Sequence, residues 1–200
     1  MKRTLLTQIW TVAAIAMLTL PAVSQIVYTP VYVSIPVGGY YNLDLNQDGV
    51  TDFIIRSGLL QDYCQFGDGY VWSLAITPAT GNSIVTATGH AGPTYASALN
   101  YGVRIDSSQG FDAQPNLMAG ISWGSCGIGS LGEWLNLPNR YLGLQFRGPD
   151  NQLHYAWAKA STVAYVDQAG RLHASTTLSG AAYQTVPNRR ILAGQMVEIP

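Results

Sequence analysis

Charge is what this sequence has least of: Asp, Glu, Lys and Arg together make up 10% of its 200 residues. Lysine occurs only at Lys2 and Lys159. With residues 1–24 set aside as a leader, eight cationic side chains face eleven acidic ones, a formal charge of −3. The basic surface that nucleic acid requires is missing. Cysteine is limited to Cys64 and Cys126, and His90, His154 and His173 show no zinc-like spacing. No long apolar run follows residue 24, so no membrane span is expected in the mature chain. Helical periodicity between strand-like runs is also lacking, which excludes a regularly alternating α/β sheet.

What is present begins with a basic start at Lys2 and Arg3, then an apolar stretch from Ile9 to Leu20, then the small residues Ala22-Val23-Ser24. These predict a signal peptide over residues 1–24 and secretion, to the periplasm or outside the cell. The stretch is shorter than the ~20 residues of a bilayer span, so cleavage is expected rather than anchoring. Ile191 to Pro200 has neither an apolar segment nor a basic cluster, and no C-terminal anchor is expected there. Removing 24 of 200 residues leaves 176, residues 25–200, enough for one domain with a sizeable core. In an oxidising compartment Cys64 and Cys126 are a candidate disulfide, with two buried thiols as the alternative.

Short period-two runs rich in aromatic and β-branched residues predict strands over 26–35, 39–45, 51–57, 70–77, 82–88, 141–147 and 153–160, and the same rhythm continues to residue 186. Gly148-Pro149-Asp150-Asn151 and Gln168-Ala169-Gly170 read as turns. Residues 91–139 are glycine-rich and less regular, with a helical turn expected at most over Gly132 to Leu137. The expected class is all-β, a single jelly-roll-like β-sandwich.

The segment from Asp44 to Phe53 carries the most chemistry. Asp44, Asn46, Asp48 and Asp52 fall at the first, third, fifth and ninth places of a calcium loop, with Gly49 at the sixth where the chain turns sharply. Val50 can offer its carbonyl. Three carboxylates in nine residues repel one another unless a cation sits among them, so Ca²⁺ is the expected cofactor. The twelfth place is Ile55 rather than Glu and both flanks read as strands, which excludes an EF-hand. Asp62 and Asp68 are the nearest acids that could complete the shell, and a solvated Asx turn is the alternative.

Catalytic patterns are weak. Gly120-Ile121-Ser122-Trp123-Gly124 matches G-x-S-x-G, but Ser125 to Gly129 make a poor helix start. Asp106, Asp112, Glu133 and Asp150 could supply a glycosidase pair only if two of them faced one cleft. Trp72, Trp123, Trp134 and Trp157 could form a sugar platform or lie in the core, which makes carbohydrate a candidate partner alongside other surface components.

Tyr40 to Phe53, Tyr141 to Phe146 with His154 to Ala158, and Ala181 to Gly194 together resemble a group of uncharacterised exported bacterial proteins, many with a PEP-CTERM-type sorting tail. Their elements read DLNxDGxxDF, YxGLxF, HYGWA and AYETxPxxxIxAG. The loop itself resembles strand-flanked FG-GAP-like calcium loops. Ala156 replaces a usual glycine and Gln184 a usual glutamate, which argues against an essential acid at that position. The resemblance implies a secreted β-rich protein with a calcium loop and no established activity. The expected function is therefore a secreted calcium-binding β-sandwich with a structural or binding role at or outside the cell surface. A lectin-like module is the alternative, and a secreted hydrolase is less favoured.

Overall fold

The computed structural model describes residues 25–64, 67–87, 94–125 and 127–198, with only the backbone described at 62–64 and 67. The expected leader, His90, and the Cys64–Cys126 pairing, through Cys126 and the Cys64 side chain, lie outside the described residues.

The described residues contain strands and turns and no helix. In chain order the strands are β1 (Ile26–Thr29), β2 (Val33–Pro36), β3 (Tyr40–Leu43), β4 (Phe53–Cys64), β5 (Gly67–Pro78), β6 (Ser83–Val85) and β7 (Arg104–Ile105). They continue as β8 (Phe111–Asp112), β9 (Asn116–Gly124), β10 (Gly129–Gly132), β11 (Arg140–Arg147), β12 (Leu153–Val166), β13 (Leu172–Gln184) and β14 (Ile191–Leu192). One sheet runs β1-β13-β12-β11-β6-β8, with β2 also on β13; the other runs β10-β9-β5-β4-β3; β7 and β14 form a small separate pair. The protein is all-β, and its two large sheets make a sandwich.

Alternation builds the core. Phe53 and Ile55 on β4, with Trp72, Leu74 and Ile76 on β5, point inward from the second sheet. Leu142, Leu144 and Phe146 on β11 and the small Ala156, Ala158 and Ala160 on β12 join them in one buried cluster. Tyr155 and Trp157 point the other way and are buried too, in a second cluster with Ile105, Ile191 and Ala193. The β7–β14 segment thus covers the outer face of the first sheet, which is why β11 and β12 are buried almost continuously. Close packing explains Gly143 on β11: a Cβ there would lie 2.5 Å from Val85 Cγ2 and 2.9 Å from Leu99 Cδ1.

Several boundaries differ from the sequence expectation. Residues 26–35 form two strands, because Pro30 has no N–H to donate to β13, which both halves flank. The strands expected to end at Ser57 and to start at Tyr70 extend into a 12-on-12 residue hairpin. Gly132 to Leu137 contains no helix; Leu137 N–H closes a turn on the Trp134 carbonyl at 3.3 Å. The segment expected to be irregular contains β9, central in the second sheet, where Gly120 lets the Trp72 carbonyl approach to 3.3 Å of a would-be Cβ.

Candidate metal site

The loop from Asp44 to Asp52 joins edge strand β3 to β4. Its short polar side chains hold the backbone, as Asx residues do. Asp44 Oδ2 accepts from Gly49 N–H at 2.8 Å and Oδ1 from Asp48 N–H at 3.3 Å. Asn46 Oδ1 accepts from the same Asp48 N–H at 3.3 Å, Asn46 Nδ2 donates to Asp48 Oδ2 at 2.8 Å, and Asp48 Oδ1 accepts from Val50 N–H at 2.8 Å. Gly49 takes φ 86°, a left-handed value that costs glycine little. The loop therefore curls with Asp44, Asn46 and Asp48 drawn together around its own amides, and its donor set is all oxygen, as calcium prefers. Among the described residues no group of three or more His, Cys, Asp or Glu is placed as a ready-made metal cage.

Asp52 behaves differently from the other three. It is buried, its Oδ2 accepts from Leu45 N–H at 2.8 Å, and its Oδ1 lies 3.4 Å from Asn82 Nδ2. Oδ2 closes the loop on itself, and Oδ1 ties it to the sandwich through Asn82. Burial pushes its carboxyl up to about 6, against the Leu45 hydrogen bond, and the charges of Asp44 and Asp48 push it further the same way. Asn82 is the part of the site that sequence reasoning missed. Its Nδ2 also reaches the Asp52 carbonyl at 3.1 Å and its Oδ1 accepts from Arg147 N–H at 3.0 Å, so it clamps the loop to β11 from thirty residues away. Asp68 does not join the loop. It pairs with Tyr63, ten residues up β4 from Phe53, roughly 33 Å away at strand rise. The backbone of Asp62 lies opposite Gly69 at the same far end.

Beside the loop opens a cleft of about 270 Å³ lined by Asn46, Phe146, Gly148, Asp150, His154 and Tyr183 among others. Burial and then the charge of Asp48 raise the Tyr183 phenol, which places loop and cleft within one electrostatic neighbourhood. His154 is buried; its Nδ1 donates to the Gln184 carbonyl at 2.9 Å and its Nε2 lies 3.2 Å from Asp150 Oδ1. Both ring nitrogens thus have partners within the protein.

The remaining catalytic candidates lie apart on several elements. Ser122 sits within β9, opposite Val71, in an extended strand rather than a strand-to-helix elbow. His173 is held by Asp167 at 3.1 Å. Asp106, Asp112 and Asp150 are each held below the usual carboxylate range: by the Ser108 hydroxyl, the Gln114 amide and the Gln152 amide first, respectively. Glu133 accepts from Ala98 N–H at 3.1 Å. A glycosidase acid needs the opposite shift. The four candidate tryptophans are buried, and each donates its Nε1–H within the protein: Trp72 to Ser57 Oγ, Trp123 to the Gly170 carbonyl, Trp134 to that of Ala96 and Trp157 to that of Gln195. They belong to the two buried clusters, and Trp123 also lines an open groove.

The chain matches no protein-family model, no curated protein and no solved structure. No helix among the described residues is long and apolar enough to cross a membrane.

Proposed function

We propose that this chain is a secreted, non-enzymatic β-sandwich that takes one Ca²⁺ at Asp44, Asn46, Asp48, the Val50 carbonyl and Asp52, with a structural or binding role at or outside the cell surface. The observation that carries the reading is the curl of the loop at Gly49, which gathers the oxygens of Asp44, Asn46 and Asp48 beside Asp52, whose carboxyl is raised to about 6 by burial first and then by the charges of Asp44 and Asp48. A divalent ion among these oxygens removes that repulsion and ties β3 to β4. Asp52, buried and held by Leu45 and Asn82, contributes through water or by charge, while the more exposed Asp44, Asn46 and Asp48 exchange their hydrogen bonds to loop amides for the ion as the direct side-chain ligands. The lowered carboxyls of Asp106, Asp112 and Asp150 support a reading in which none of the three serves as a general acid. Export rests on the N-terminal sequence pattern and on the resemblance to exported bacterial proteins.

Thermal unfolding of residues 25–200 tests the reading. Calcium at a hundred times its dissociation constant contributes about 2.7 kcal/mol, which raises the Tm by roughly 5–11 °C for a domain of this size. Asp48→Ala is expected to abolish that rise. Superimposable melting curves in calcium and in chelator refute the site.

A further inference from the structure

Two grooves of about 370 and 470 Å³ meet at the tip of the β12–β13 hairpin and share Val37 and Leu172 as a common wall. They lie at the end of the sandwich away from the acidic loop: Tyr70 pairs with Gln61, eight residues along β4 from Phe53, roughly 26 Å at strand rise.

Each groove carries a cross-strand pair of nearly parallel rings. In the first, Tyr70 stacks on Trp123 with centroids 5.4 Å apart and planes 22° apart; in the second, Tyr165 stacks on His173 at 4.8 Å and 12°. Trp123 and His173 back the two tyrosines and are themselves pinned, by the Gly170 carbonyl at 3.1 Å and by Asp167 at 3.1 Å. The tyrosines stay open, with Tyr70 37% and Tyr165 51% exposed. Such rings lose little freedom when a ligand arrives. Among the described residues no Asp, Glu, Lys or Arg lines either groove, and the nearby Asp167 and Arg171 neutralise one another at 2.9 Å.

Charged polymers find no counter-charge here, and a purely apolar ligand would leave the phenol hydroxyls and Ser175 without partners. A pyranose satisfies both demands, stacking its C–H face on a ring while its hydroxyl edges meet hydroxyls and water. We propose that this groove binds a short, neutral oligosaccharide on Tyr70 and Tyr165. It goes beyond the calcium reading and does not depend on it, since the loop lies at the far end.

The test is affinity electrophoresis of residues 25–200 through gels containing a neutral β-glucan, xylan or mannan, or the anionic polymer alginate, followed by calorimetric titration with a hexasaccharide of whichever polymer retards the protein. Retardation by a neutral polymer is expected, equal in calcium and in chelator. Tyr70→Ala and Tyr165→Ala should each weaken binding about tenfold or more. Tyr101→Ala, an exposed tyrosine outside both grooves, should leave it unchanged. Failure of all three neutral polymers to retard, retardation by alginate alone, binding that disappears in chelator, or equal affinity in the Tyr70 and Tyr165 variants overturns the assignment. Because the melting experiment reads calcium separately, either proposal can fail while the other stands.

Discussion

Replacing Asp52 by asparagine should stabilise the calcium-free protein, although it removes a buried, hydrogen-bonded carboxylate. The carboxyl rises from 3.8 to about 6 on folding, so the native state holds its proton more tightly than the unfolded chain. Stability from this group is complete below pH 3.8 and is lost as pH rises through about 6, a slope of about 1.4 kcal/mol per pH unit and up to about 3 kcal/mol in all. Asparagine keeps an oxygen for Leu45 N–H but turns an amide toward Asn82 Nδ2, which costs on the order of 1 kcal/mol. The net gain at pH 7.5 in chelator is therefore about 1–2 kcal/mol, a Tm roughly 2–8 °C higher. Calorimetry in chelator at pH 7.5, 6 and 4.5 checks the sign. The native sequence should gain stability from pH 6 to 4.5, where the lowered Asp106, Asp112 and Asp150 do not yet titrate, and Asp52→Asn should gain less. In saturating calcium the order of the two proteins should reverse. A variant less stable than the native protein in chelator at pH 7.5 refutes the reasoning, because burial and the neighbouring charges would then not disfavour the ionised carboxyl.

Other perturbations separate the site from its scaffold. Asn82→Ala removes the clamp between Asp52 and Arg147 N–H and should cost about 1–3 kcal/mol in urea unfolding, with weakened calcium affinity as the sign that the loop has lost its position. Gly143→Ala forces a methyl against Val85 and Leu99 and should cost about 1–3 kcal/mol while leaving the calcium-induced Tm shift intact.

Legibility in the sequence followed the range of the interactions. The strand YLGLQF and its partner HYAWA alternate cleanly and are joined by a turn with its own chemistry, so β11 and β12 could be read locally. β9 could not. Its glycines carry little strand preference, and its place between β5 and β10 comes from neighbours far along the chain. The loop's four polar candidates sit within nine residues and are visible as spacing, whereas Asn82 and Tyr183 reach it only through the fold. The tryptophans show the same division: their strand positions were evident, but the carbonyl or hydroxyl awaiting each indole N–H was not.

The pairing of β1 and β2 with β13 has a kinetic corollary. Ile26 meets Gln184 and Val33 meets Leu178, so the first strands find their partner only once nearly the entire polypeptide is available. Distant pairings of this kind raise contact order and slow folding. Under the proposed export, a sheet that closes only when the last strands arrive suits a polypeptide that must be threaded through a translocon before it takes its shape.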